Sequence, residues 1–133
     1  MTQPVRRQWI KSGARWEPLV GYSRAVRSGN FIAVSGTTAV DESGQVVFAD
    51  DAYRQAKRCI EIIRLALQQA GAELRHVVRT RMYVTDISRW PDIARAHQEA
   101  FGDIAPATSM LEVQGLIDAR MLVEIEADAV VDD

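Results

Sequence analysis

Apolar and polar positions along the chain fall into a few regular blocks. Tyr22 to Arg27 and Phe31 to Ser35 read as two strands joined through Ser28-Gly29-Asn30. Gly-Asn is favourable hairpin chemistry because both residues tolerate positive φ. Gly36 ends the second strand, and Asp41-Glu42-Ser43-Gly44 reads as a further turn with a short extended segment on either side. Asp50 or Asp51 can then cap a helix in which Tyr53, Ala56, Ile60, Ile63, Leu67 and Ala70 recur at helical spacing, with Gly71 as its stop. Arg54, Lys57, Arg58, Glu61, Arg64 and Gln68 fall mostly on the other side, so the spacing predicts a long amphipathic helix lying on a sheet.

From His76 to Thr85 the period returns to two. Val78, Thr80, Met82 and Val84 point one way, and Arg79, Arg81 and Tyr83 the other. Ser88 is placed to cap a second helix carrying Trp90, Ile93, Ala94, His97 and Phe101 on one face, with Pro91 in its first turn and Gly102 at its end. Pro106 to Val113 reads as a short strand. Met121 to Val131 reads as the last, with Val123, Ile125, Ala127, Ala129 and Val131 alternating with Leu122, Glu124, Glu126, Asp128 and Val130. The order is strand, strand, strand, helix, strand, helix, strand, strand. Helices are too few for strict βα alternation, so the pattern predicts an α+β domain with a mixed or largely antiparallel sheet and two helices on one face. The second face carries Arg79, Arg81, Tyr83, Glu124, Glu126 and Asp128 beside Leu122 and Val130. Two readings of it stand: a solvated face with cross-strand ion pairs, or a face that meets partner subunits.

Composition narrows the picture. The 133 residues fit a single domain over 1–133, with 47% hydrophobic and 26% charged residues. A net charge of -2 gives no bulk attraction for phosphate backbones, so no nucleic-acid partner is expected. The lone cysteine, Cys59, excludes an intramolecular disulfide. No apolar run approaches the roughly 20 residues that span a bilayer, and MTQPVRRQW has no apolar stretch behind its arginines, so no membrane and a cytoplasmic location are expected. His76 and His97 are the only histidines, and no ligand-spaced cluster or Gly-rich phosphate loop is visible, so no metal or cofactor is expected. Cys59, beside Ile60 and Ile63, reads as a packed, inert thiol, and His97 as a core or interface histidine.

Several segments, none specific alone, occur in a telling order. They are Gly21-Tyr22-Ser23-Arg24-Ala25-Val26 leading into Phe31-Ile32-Ala33-Val34-Ser35-Gly36, then Gln69-Ala70-Gly71-Ala72, then Val77 to Asp86 and Glu99-Ala100-Phe101. Pro106-Ala107-Thr108-Ser109-Met110-Leu111-Glu112-Val113 and Val123-Glu124-Ile125-Glu126-Ala127 complete the set. Together they resemble the Rid (reactive intermediate deaminase, YjgF-type) family over nearly the whole chain. The resemblance implies a chorismate-mutase-like fold and a homotrimer whose sheets form a central barrel, with the helices outside and three clefts between neighbouring subunits. It turns the polar sheet face towards the threefold axis.

The same resemblance supplies candidate residues. Family deaminases hydrolyse 2-imino acids to 2-keto acids, with an arginine forked onto the substrate carboxylate. That arginine lies two residues after the proline of a Pro-Ala-Arg-Ser motif, where this chain has Thr108, a single hydroxyl without charge. Activity on simple 2-imino acids is therefore expected to be weak or absent. Glu124 matches the glutamate that positions the attacking water; the alternative is a barrel glutamate paired with Arg79 or Arg81. Tyr22 matches a cleft-wall tyrosine, or is a hairpin aromatic on the core. Ser35 matches a cleft polar residue, or caps a turn. Met110 replaces a common cysteine with an apolar wall. Arg95 stands where the deaminases carry a cleft asparagine and is a candidate replacement cation, as are Arg24, Arg81 and Arg120. Trp16-Glu17-Pro18 is a candidate edge of the cleft.

Three functions follow as expectations. The first is a trimer that binds a small organic acid or an imine or enamine metabolite, and deaminates a non-standard one by hydrolysis. The second is a non-catalytic ligand-binding or regulatory module. The third is a chaperone-like interaction protein working through its outer helix face.

Overall fold

The structure, a computed structural model, describes residues 6–132, so the reading of the leading segment falls partly outside the described residues at positions 1–5. Its strands are β1 Arg7–Ile10, β2 Ala25–Ser28, β3 Phe31–Thr37, β4 Val77–Val84, β5 Ala107–Glu112 and β6 Val123–Val130. The helices are α1 Trp16–Val20, α2 Ala52–Gln69 and α3 Trp90–Phe101. The strands form one sheet in the order β1-β2-β3-β6-β4-β5. All neighbours run antiparallel except β4 and β5, which are parallel, so the sheet is mixed.

The β2–β3 hairpin pairs Ser28 with Phe31, and Gly29 takes the positive φ of 63° that its tight turn requires. Asp51 caps α2 by accepting the Arg54 N–H at 3.0 Å. Helix α2 then lays Ala56, Cys59, Ile60, Ile63 and Leu67 on β3 and β6, and α3 adds Ile93 and Phe101. From the sheet come Ile32, Val34, Met82, Val84 and the unbroken alternation of Val123, Ile125, Ala127 and Ala129. Full burial of a side chain such as Ile63 or Ile125 contributes about 1.5–3 kcal/mol.

Four details depart from the pattern reading. Strand β1 and helix α1 were not anticipated. Beside the 41–44 turn there is only an isolated bridge, Val40 to Val46, and not a third full strand. The register shifts between Val77 and Arg79, which turns Val78 out to 47% exposure although alternation put it with Thr80 and Met82. Ser88 does not cap α3; its N–H and hydroxyl both donate to Asp86 Oδ1 in the turn before it. Sequence reading also missed Gln55. It is fully buried on α2, donates to the Val47, Phe48 and Arg120 carbonyls and accepts the Leu122 N–H, which fastens the segment before β6 to the helix.

Candidate functional site

Helices α2 and α3 cover one face of the sheet and leave the other open. Alternation places Trp9, Val26, Phe31, Ala33, Arg81, Tyr83, Leu111, Glu124, Glu126 and Asp128 on the open face. Its charges are partly matched: Arg81 Nη1 reaches Asp128 at 3.2 Å and Glu126 at 3.4 Å, and the Tyr83 hydroxyl donates to Glu126 at 3.0 Å. Trp9 (59%), Leu111 (49%) and Phe31 (43%) stand exposed around this network.

Glu124 is outside it. Its carboxylate makes no hydrogen bond or ion pair among the described residues. Burial pushes its pKa up; the Arg24 guanidinium opposes that shift and the Glu126 charge adds to it. The cause of the placement is in β3. Val34 pairs with Ala127 and Thr37 with Ile125, so Ser35 and Gly36 bulge opposite Glu126. The bulge brings the Gly36 backbone under Glu124, where a Cβ on Gly36 would stand 2.5 Å from Oε2. Arg24 Nη2 donates to the Gly36 carbonyl at 2.5 Å, and the Tyr22 ring lies 5.7 Å from that guanidinium. Ser35 Oγ donates to the Ser23 carbonyl at 2.6 Å, so it ties the two strand ends together. Tyr22 and Ser35 also line an open recess of about 430 Å³ with Trp9, Arg81, Glu126 and Asp128.

The structure thus brings Tyr22, Ser35 and Glu124 to one region. It does not bring Thr108, Met110 or Arg95 there. Thr108 pairs with Thr80, and Glu124 with Tyr83, three positions further along β4 and on the opposite face. Three residues cover about 10 Å along a strand, and β5 and β6 lie two strand spacings, again about 10 Å, apart. Thr108 Oγ1 donates to the Pro106 carbonyl at 3.1 Å and lies 2.8 Å from Thr80 Oγ1, which is 2.8 Å from His97 Nε2. His97, beside Phe101, has its pKa lowered by burial. Met110 is half-buried against the core. Arg95 lies on the helical layer, with its guanidinium 3.7 Å from the Tyr53 ring centroid, and the Tyr53 hydroxyl donates to Glu99. Arg120 pairs with Asp118 at 2.8 Å. In the Trp16-Glu17-Pro18 segment, Glu17 is buried and accepts the Ser12 N–H and hydroxyl, which holds the loop ahead of Tyr22.

Arg24 was named from sequence only as one of several candidate cations, and Gly36 only as a strand end, so their meeting beside Glu124 was not foreseen. The available signal was the adjacent Ser35-Gly36 pair, because a glycine late in a strand marks a bulge or a close backbone approach. Among the described residues no group of three or more His, Cys, Asp or Glu side chains could hold a metal, and no helix is long and apolar enough to cross a membrane.

Comparison with known proteins agrees with this architecture. Residues 12–131 match the family model described as Endoribonuclease L-PSP. A crystal structure from Mycobacterium tuberculosis, of a member of the highly conserved YjgF/YER057c/UK114 family, is similar at a TM-score of 0.87 with 50% identity, over 95% of this chain and 100% of that one. An uncharacterized Streptomyces coelicolor protein is 36% identical over 129 residues, which is 96% of this chain and 93% of the relative. A 3-aminoacrylate deaminase of Acinetobacter baylyi is 32% identical over 112 residues, which is 84% of this chain and 88% of that enzyme.

Proposed function

The chain belongs to the YjgF/UK114 family, whose model carries the description Endoribonuclease L-PSP, and from that premise we propose a homotrimer that binds a small organic acid or an imine or enamine metabolite in clefts between subunits. The reaction is hydrolytic deamination of an imine or enamine other than the simple 2-imino acids. The observation that carries it is Glu124, a half-buried carboxylate with no hydrogen-bond or ion-pair partner among the described residues, held over the Gly36 backbone while its neighbours Glu126 and Asp128 are consumed by Arg81 and Tyr83.

A carboxylate so placed accepts a proton from water as the water oxygen adds to the C=N carbon. The carbinolamine formed then expels ammonia and leaves a carbonyl, so one imine and one water give one carbonyl and one ammonia. An enamine enters the same path after protonation at carbon to its imine tautomer. The deaminase among the relatives is named for such an enamine acid, 3-aminoacrylate. Thr108 supports a changed substrate preference, because a hydroxyl engaged with Thr80 and Pro106 offers no fork for a carboxylate.

The trimer is supported by the same geometry. Thr108 and Met110 face away from Glu124 on one chain, so a cleft that uses both sets needs two chains. The exposed Trp9, Phe31 and Leu111 on the open sheet face are suited to cover by further copies.

The test is deamination of 3-aminoacrylate and of 2-iminopropanoate, each generated in situ, by wild type, Glu124→Gln and Thr108→Arg, with light scattering on each protein. The expected result is a trimer that acts on the enamine acid but hardly on 2-iminopropanoate. Glu124→Gln should lose the activity and Thr108→Arg should gain the second substrate. Strong wild-type hydrolysis of 2-iminopropanoate, or a monomer in solution, contradicts the proposal.

A further inference from the structure

Strand β5 carries the uncharged Thr108 where the family resemblance implies an arginine, and a cation stands instead just before β2. Arg24 is only 9% exposed. A guanidinium carries five donors, and among the described residues this one makes a single hydrogen bond to protein, from Nη2 to the Gly36 carbonyl, with the Tyr22 ring beside it. Its Nε is buried without any hydrogen-bond partner, and no carboxylate stands within ion-pair distance of it among the described residues. Several other arginines are committed. Arg81 holds Glu126 and Asp128, Arg120 holds Asp118, Arg89 holds Asp50, and Arg27 holds the Gly29 and Ala70 carbonyls. A buried cation with spare donors is unfavourable unless something completes it.

Two neighbours say what could. Gly36, whose carbonyl Arg24 holds, is the residue over which the Glu124 carboxylate lies. Arg24 also forms part of the wall of a cavity of about 400 Å³, with apolar Ile10, Ile62 and Leu65 and cationic Lys11 and Arg58. The acids on that wall, Asp41 and Glu42, belong to the 41–44 turn, where Asp41 accepts from Ser43 and from the Gln45 N–H. A cation with free donors, an apolar floor and an unpaired carboxylate next door suit a small carboxylic acid with a short apolar tail.

We propose that Arg24 is the carboxylate anchor of the Glu124 site, taking the ligand's acid group on the donors that Gly36 leaves free. The anchor then stands just before β2, in the same chain as Glu124, and not on β5. The ligand class is a short-chain 3-oxo acid, or the enamine that gives rise to it. This inference rests on the organic-acid reading above and adds which residue holds the acid.

The experiment is calorimetric titration of 3-oxobutanoate into wild type, Arg24→Gln and Glu124→Gln, with thermal denaturation of each. Arg24→Gln keeps a donor for the Gly36 carbonyl and should bind roughly tenfold or more weakly, because a hydrogen bond to a charged group is lost. Glu124→Gln removes a like charge facing the ligand and should bind severalfold more tightly. Binding by wild type that Arg24→Gln leaves unchanged overturns the anchor and spares the organic-acid reading. No binding by wild type overturns both. If Arg24→Gln does not fold, Glu124→Gln decides: affinity unchanged or weakened means the acid group does not sit between Arg24 and Glu124.

Discussion

Glu124 lies so close over Gly36 that a methyl group on that glycine would stand 2.5 Å from Oε2 and 2.8 Å from Cδ. The glycine therefore shapes the candidate site although it carries no side chain. Gly36→Ala should leave the sheet intact and push the carboxylate away. A 1 Å misplacement of a reacting group can cost on the order of 100-fold, so deamination should fall by about that factor while thermal stability changes little. Assays of activity and melting on one preparation check this; full activity in Gly36→Ala would mean the carboxylate position is not critical.

The pKa of Glu124 is raised above its ordinary 4.5, first by burial. The folded protein therefore binds this proton more tightly than the unfolded chain does. Its contribution to stability is present at low pH and is lost as pH rises through the raised pKa. Glu124→Gln, which mimics the protonated form, should melt higher than wild type at pH 7 and equal it near pH 3. For the proposed reaction, the same shift should place the acid limb of the activity profile above the ordinary carboxylate range, since only the ionised group can take a proton from water. Melting curves and rates from pH 3 to 9 test both signs.

Thr80 is the centre of a chain of hydroxyls and imidazole, with Thr108 Oγ1 and His97 Nε2 each 2.8 Å away. It is fully buried, so Thr80→Val removes a shared partner without adding volume. The cost should be about 1–3 kcal/mol, read from urea denaturation. An unchanged midpoint would show that water replaces the bond at no cost.

Cys59 is fully buried under the sheet, and burial, with the Glu124 charge adding, pushes its thiol pKa up. It should resist iodoacetamide in the native protein at pH 8 and react stoichiometrically in denaturant, as mass spectrometry of the two samples would record. Rapid native labelling would mean that α2 opens away from β6.

Local pattern was enough for much of the architecture, and the reason is physical. Burial against a single layer is a property of each element, so the 3.6 period of Ala56, Ile60, Ile63 and Leu67 and the strict alternation of Val123, Ile125, Ala127 and Ala129 could be read directly. The family likeness, carried by the 21–36, 106–113 and 123–127 segments, was legible for the same reason: it is written in the chain. Tyr22, Ser35 and Glu124 could be named from it as candidates. Tertiary structure alone decided the rest. Bulges between Val34 and Thr37 and between Val77 and Arg79 arise from pairing with β6, so no local pattern could place Gly36 under Glu124 or turn Val78 outward. Register across β4 set Thr108 and Glu124 on opposite faces. Which arginine is paired and which is spare depends on neighbours distant in sequence, and only the folded chain shows that Arg81 and Arg120 are engaged while Arg24 stands beside Glu124 with donors unused.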